Sequence, residues 1–301
     1  MSQLVKGLVT PAVTIFQDDE SLDEQRTRDH IRFLVDSGVN AIAAGGSSAE
    51  FIALKFEERK RLLAAILEEV GGRVPVYTGT GHYSTRLTIE LSKFAQQAGA
   101  SALLVILPYY LTPPRRFVFD HYRALREAVD IPLILYNGLD FVGYHLPPTE
   151  VAQLVEEGVV QGIKENHTDV STIRMLKALC GDRLSVYSGP DSTGLEAFCA
   201  GADGWFGGVL QNLVPGICVE FYALIAQGCL AEARELWGKL FPLVRLTCTK
   251  QGDGYPHFIQ IIKAGLNLLG RHGGKPVRPL LPLGDAEAKR LAAILGGLQR
   301  R

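Results

Sequence analysis

Eight short, β-rich apolar runs recur along the chain, each parted from the next by a longer amphipathic stretch. They are Gly7–Val13, Ala41–Ala44, Val74–Thr78, Ala102–Leu107, Pro132–Tyr136, Val160–Lys164, Leu184–Tyr187 and Gly204–Gly207. Their spacing falls from roughly 33 residues to about 20, enough for a strand, a loop, a helix and a loop. The segments between them carry helical stripes, such as Ile31, Leu34 and Val35 within 23–36, or Leu62, Leu63, Ile66 and Leu67 within 56–70. A third stripe lies in 88–98, with Ile89, Leu91, Phe94 and Ala95. Strand-helix alternation builds a parallel sheet covered by helices. Eight units in about 210 residues fit the α/β class as a closed (β/α)8 TIM barrel better than an open, doubly wound sheet. No GxGxxG opens the first helix after a strand, no P-loop occurs, and Gly79-Thr80-Gly81 lacks a third glycine, so a nucleotide site is not expected.

After the eighth run the rhythm stops. Residues 215–226, 230–244, 257–269 and 285–298 read as helices, punctuated by the Pro-rich stretch 275–283. The expectation is a barrel over residues 1–228 and a C-terminal helical extension over 229–301 packed on it.

Of the 301 residues, 47% are hydrophobic and 21% charged, a globular composition. The 31 basic and 32 acidic residues nearly cancel, so the chain lacks the basic excess of a nucleic-acid binder. Its longest apolar stretch, 102–107, is far too short to span a bilayer. The five cysteines form no CxxC pair and are odd in number, which argues for reduced thiols. The N-terminus does not read as a secretory signal. A soluble, cytoplasmic protein is expected, with no nucleic-acid or membrane partner.

A barrel carries its active site at the C-terminal ends of its strands. Lys164 ends the sixth run and shares a face with Val160 and Gly162 by the two-residue period of a strand. If that face is the interior, Gly162 leaves open space beneath the ammonium. Desolvation there would lower the amine's pKa and let the neutral form attack a carbonyl to give a Schiff base. The plainer reading is a lysine snorkelling to solvent or paired with a carboxylate. Tyr136 ends the neighbouring run on the same parity, where a phenol can relay protons at an imine or simply pack in the core. Ser47 and Ser48 follow Gly45 and Gly46 ahead of an expected helix. That position suits a carboxylate, or a plain helix cap. Tyr110 sits in a YYLTPP loop, which alone suggests loop packing. Asp191 after the seventh run could bind a ligand hydroxyl, though it reads first as a turn former. The seven histidines form no HxxxH or HExxH, so no metal is expected, and no GxSxG marks a serine hydrolase.

Taken together, the strand-two loop ending in Glu50, Pro108-Tyr109-Tyr110, Tyr136-Asn137 and Ile163-Lys164-Glu165 resemble the dihydrodipicolinate synthase / N-acetylneuraminate lyase family of pyruvate-dependent class I aldolases. The opening LVTPAVTIF and the GADGWFGG segment fit as well, so the resemblance spans nearly the whole chain. It implies that Lys164 is the Schiff-base lysine and Tyr136 the proton-shuttling phenol. Ser47 and Ser48, with Gly46, match the loop that holds a keto acid's carboxylate. Gly189 and Phe206 match positions lining the keto-acid pocket, and Tyr110 the tyrosine lent to a neighbouring subunit. It further implies no cofactor beyond the covalent imine, a small-molecule 2-keto acid substrate and a homo-oligomer, dimer or tetramer.

Two departures bear on the substrate. Ala49 stands where the family's loop usually has glycine, which would strain a positive φ. Phe141 stands about where synthases carry the arginine that grips the aldehyde's carboxylate, next to Asp140. Gly254-Tyr255, 262–265 and 276–279 resemble the branch of 5-dehydro-4-deoxyglucarate dehydratases and related 2-keto-3-deoxy sugar-acid enzymes. The reading is therefore a Schiff-base lyase, a 2-keto-3-deoxy sugar-acid aldolase or dehydratase, with Asp140, Phe141, His82, Tyr109 and Tyr110 setting distal selectivity. The alternatives are a 4-hydroxy-tetrahydrodipicolinate synthase whose carboxylate clamp is Arg115 or Arg116, and a keto-acid-binding barrel without turnover.

Overall fold

The computed structural model describes residues 4–248 and 257–299. The chain runs β1 (Gly7–Pro11), α1 (Glu24–Asp36), β2 (Ala41–Ala44), α2 (Phe56–Val70), β3 (Val76–Gly79), α3 (Thr85–Ala98), β4 (Ala102–Ile106), α4 (Arg115–Ala128) and β5 (Leu133–Asn137). It continues with α5 (Leu139–Val142), α6 (Pro148–Glu156), β6 (Gly162–Glu165), α7 (Ser171–Cys180), β7 (Ser185–Ser188), α8 (Gly194–Cys199) and β8 (Gly204–Trp205). Then come α9 (Val209–Leu213), α10 (Pro215–Ala226), α11 (Leu230–Cys248), α12 (Phe258–Leu268) and α13 (Asp285–Gln299). The eight strands pair in parallel and in sequence order, and β1 pairs with β8 to close the barrel. Closure leaves no sheet edge and aims every strand's C-terminal end at one rim.

Each expected strand is present, shifted by a residue or two at its ends. Strands this rich in Ala, Val, Ile and Leu are buried on both faces, as a helix-covered parallel sheet requires. Helix α3 starts three residues earlier than its stripe suggested, because the Ser84 side chain accepts the Leu87 N–H and caps it. The loop after β2 departs most. Two 3-10 turns, Ser47–Ala49 and Phe51–Ala53, precede α2.

Gly162 does not open space beneath Lys164. A Cβ there would stand 2.7 Å from Leu4 Cδ1 and 3.1 Å from Ile134 Cγ1. Leu4 and Val5 cross the barrel floor, where the Val5 N–H donates to the Tyr77 hydroxyl at 2.8 Å and the Tyr187 hydroxyl donates to the Val5 carbonyl at 2.6 Å. The glycine makes room for this plug, so free volume exists only above Lys164.

Trp205 of β8 faces outward into a second apolar cluster built from α9–α13. Its ring lies 5.7 Å from Trp237 of α11, which lies 5.0 Å from Phe221 of α10. This aromatic nest fixes the C-terminal helices against the barrel wall. Trp237 is almost fully buried, so Trp237→Ala is expected to cost about 3–5 kcal/mol through lost burial and a residual cavity. Urea unfolding with an unchanged m-value and a lowered midpoint would register it; an unchanged midpoint would contradict the packing described.

Candidate active site

A cavity of about 350 Å3 opens at the C-terminal rim of the barrel. Lys164 and Tyr136 stand side by side at its base, paired in register between β6 and β5. Lys164 is 6% exposed, and its Nζ lies 4.1 Å from the centre of the Tyr136 ring and 5.4 Å from that of Phe206. Burial lowers the ammonium pKa to about 7, with Asp191 opposing the shift. Burial likewise pushes the Tyr136 phenol up, and a hydrogen bond with Ser47 offsets part of that. The phenol is thus linked to the Ser47 hydroxyl, and the amine lies against the face of the same ring.

The serines reach the cavity from the first 3-10 turn, not from the cap of α2. Gly46 caps that turn and lines, with Ser47 and Tyr136, a second small void of about 10 Å3 and not the main cavity. The replacement at Ala49 carries no strain, because the left-handed residue is Glu50, with φ 53°. Gly79 and Gly81 serve this region through their carbonyls, which accept from the buried Arg59 guanidinium.

Gly189 and Phe206 line the cavity as expected. A Cβ on Gly189 would lie 2.3 Å from Asn166 Oδ1 and 3.1 Å from Lys164 Cε, so the glycine lets the chain after β7 pass close to the amine without displacing either side chain. Asp140 and Phe141 also line it, and the Phe141 ring bridges Tyr136 and Phe258 at 6.1 and 6.4 Å. Their loop is fastened by Asn137, whose amide exchanges two hydrogen bonds with the Leu146 backbone, both 2.9 Å. Asn137 also donates to Glu165, a carboxyl on the outer side of β6 that burial raises to about 7.

Several expected residues do not meet the cavity. Tyr110 is 93% exposed, in a left-handed turn (φ 76°), and does not line this chain's own cavity. Tyr109 packs edge-on against Phe51, and the His82 ring accepts the Ser84 N–H. The expected replacement clamp is displaced too. Arg115 donates to the His145 carbonyl and pairs with Glu150 at 3.1 Å, while Arg116 lies over the Phe117 ring. Neither arginine reaches the cavity, since both point along the outer helical layer.

Asp191 is more than a turn residue. Its carboxylate accepts the Val209 N–H at 2.7 Å, stands near enough to Lys164 for each to shift the other, and is raised to about 6 by burial. Thr247 and Cys248 from the end of α11, and His257 and Phe258 from the cap and first residue of α12, also line the cavity. Strand-end logic cannot find them; the only sequence trace was the C-terminal resemblance, of which Gly254 and Tyr255 lie outside the described residues. Among the described residues, no group of three or more His, Cys, Asp or Glu could hold a metal ion, and no helix is long and apolar enough to cross a membrane.

A closed parallel barrel with a buried lysine beside a phenol at its C-terminal rim is the arrangement of Schiff-base lyases. The chain belongs to the Dihydrodipicolinate synthetase family, whose description matches residues 4–297. Enzymes of this family are pyruvate-dependent lyases that use a covalent lysine–pyruvate Schiff base and no external cofactor. The 4-hydroxy-tetrahydrodipicolinate synthase of Thermomicrobium roseum is 33% identical over 292 residues, covering 97% of this chain and 94% of that protein. Among solved structures, the chloride-inhibited dihydrodipicolinate synthase of Acinetobacter baumannii complexed with pyruvate superposes with a TM-score of 0.91 at 30% identity, covering 98% of this chain and 99% of that one. YagE, an E. coli K12 prophage protein of the dihydrodipicolinic acid synthase family crystallised with pyruvate, gives 0.91 at 29% identity, with the same coverage.

The Lys164 environment carries a pH signature. Its folded-state pKa of about 7 lies below the ordinary 10.5, so between those values the unfolded chain holds a proton that the folded chain lacks. Its contribution therefore weakens the folded state progressively as pH falls from 10.5 to about 7, and is constant below. Urea midpoints measured at about pH 7 and about pH 10 should show this slope in the wild type and a reduced one in Lys164→Met. Equal slopes would mean that the amine is not held neutral.

Proposed function

We propose that this chain is a lyase in which Lys164 captures the carbonyl of a 2-keto acid. The observation that supports it most is the buried amine at the closed end of the cavity, 4.1 Å from the Tyr136 ring, with a pKa of about 7. The neutral amine adds to C2 of the keto acid, and loss of water, with a proton delivered through Tyr136, gives the protonated imine. The imine draws electrons from the C3–H or C3–C4 bond, and the electron pair rests in the enamine. Tyr136 takes or returns the proton through Ser47, while the hydroxyls of Ser47 and Ser48 hold the carboxylate.

The outer cavity favours a hydroxyl-bearing substrate, a 2-keto-3-deoxy sugar acid that undergoes aldol cleavage or dehydration. Asp140, Asp191, Asn166 and Ser192 line the cavity, a set that accepts from and donates to hydroxyls and repels a second carboxylate. The names of the relatives favour a second reading, 4-hydroxy-tetrahydrodipicolinate synthase, in which the enamine of pyruvate attacks aspartate semialdehyde. The comparisons back that reading better than the sugar-acid one. A homo-oligomer in which Tyr110 enters a neighbour's cavity belongs to either version.

Incubation with pyruvate and borohydride, followed by peptide mass mapping, should place the reduced adduct on Lys164. Labelling elsewhere, or none, would defeat the assignment and leave at most a keto-acid-binding barrel. Tyr136→Phe should retain the adduct yet turn over about 10²–10⁴-fold more slowly; a variant at full speed would exclude the phenol as proton carrier. Steady-state rates on a panel of 2-keto-3-deoxy acids, set against pyruvate plus aspartate semialdehyde, separate the two substrates. Faster turnover of the semialdehyde pair would overturn the sugar-acid version.

A further inference from the structure

The most deeply buried ion pair among the described residues joins Glu50 to Lys263 of α12, with side chains 6% and 1% exposed. Lys263 Nζ lies 2.6 Å from Glu50 Oε1, donates to the Lys275 carbonyl at 2.9 Å, and stands 4.5 Å from the centre of the Phe16 ring. The other Glu50 oxygen accepts the Val277 N–H at 2.8 Å. One carboxylate thus holds both α12 and the segment that follows it. Its own backbone is left-handed, at φ 53° and ψ 39°, a conformation that costs a side-chain-bearing residue unless its surroundings impose it. The Glu50 N–H donates to the Ser47 carbonyl at 3.0 Å and closes the 3-10 turn on which Ser47 and Ser48 stand.

Stability alone does not call for such a pair. Two buried charges can often be replaced by apolar side chains at no loss, whereas their directional bonds fix a unique geometry. We propose that Glu50 and Lys263 are positioning residues that set the Ser47–Ser48 turn for the carboxylate of the 2-keto acid. The inference rests on the reading that these serines bind that carboxylate. It makes the C-terminal helices a working part of the substrate site through a contact outside the cavity itself. The same α12 presents His257 and Phe258 at the rim, so its seating governs both the inner and the outer ends of the cavity.

The test is borohydride trapping on Lys164 as a function of pyruvate concentration, with kcat and KM measured alongside. Glu50→Asp keeps the charge but is one methylene short of its partners. The double variant Glu50→Gln/Lys263→Met leaves no buried charge without its counter-charge and guards against the first variant failing to fold. In both, half-saturating pyruvate should rise about tenfold or more, a loss of about 1.4 kcal/mol in binding, with maximal trapping at saturation retained. Lys263→Arg, which keeps the cation, should fall between the wild type and the double variant. A folded variant with half-saturation within about twofold of wild type would overturn the proposal. So would lost maximal trapping at unchanged half-saturation, the mark of general damage. A wild type that leaves Lys164 unlabelled would instead remove the reading of the site, an outcome visible before any variant is made.

Discussion

Keeping an amine out of water at the mouth of the barrel is the constraint on which the site depends. An ammonium loses its hydration there and, among the described residues, gains no carboxylate in direct contact, so its neutral form gains weight. The surroundings are arranged around that cost. Phe206 and the Tyr136 ring supply low-polarity walls whose π faces still tolerate the cation. Asp191 is close enough to moderate the shift, yet it is itself raised by burial and occupied by the Val209 N–H. The result is a lysine poised near neutrality, not one locked in either state.

Two supports keep this arrangement in place. Beneath it, Leu4 and Val5 fill the barrel floor, so the Lys164 side chain can extend only toward the rim. Around it, loops that would otherwise move are fastened by buried polar groups. Asn137 holds the loop bearing Asp140 and Phe141, and Glu50 holds the turn bearing Ser47 and Ser48. Each fastener sits two to four residues from the side chains it serves. Chemistry and anchoring therefore share the same short segments, which is economical in a barrel whose strands are only two to five residues long.

Much of the inner site was legible from the chain because the strand period is two. Parity alone assigned Lys164 and Tyr136 to one interior face, the strand ends nominated the Ser47–Ser48 loop, and the family resemblance added Gly189 and Phe206. The reading weakened where a residue's direction depends on something distant in sequence. Gly162 looked like space below the lysine because the N-terminal plug cannot be inferred from the strand itself. Arg115 looked like a replacement clamp because nothing local says that α4 turns it toward His145 and Glu150. Asp191 read as a turn former because the backbone amides it accepts belong to α9, across the β8 loop.

The order of residues determined the alternation, the closed parallel topology and the parity that puts an amine and a phenol side by side, since these follow from periodicities of a few residues. Tertiary structure decided what surrounds them. Which atoms desolvate Lys164, which carboxylates face the outer cavity and which helix holds the serine turn all depend on segments up to about two hundred residues apart meeting in space. Such meetings arise from the packing of whole elements, through Trp205, Trp237 and Phe221 here, and no short window of sequence records them.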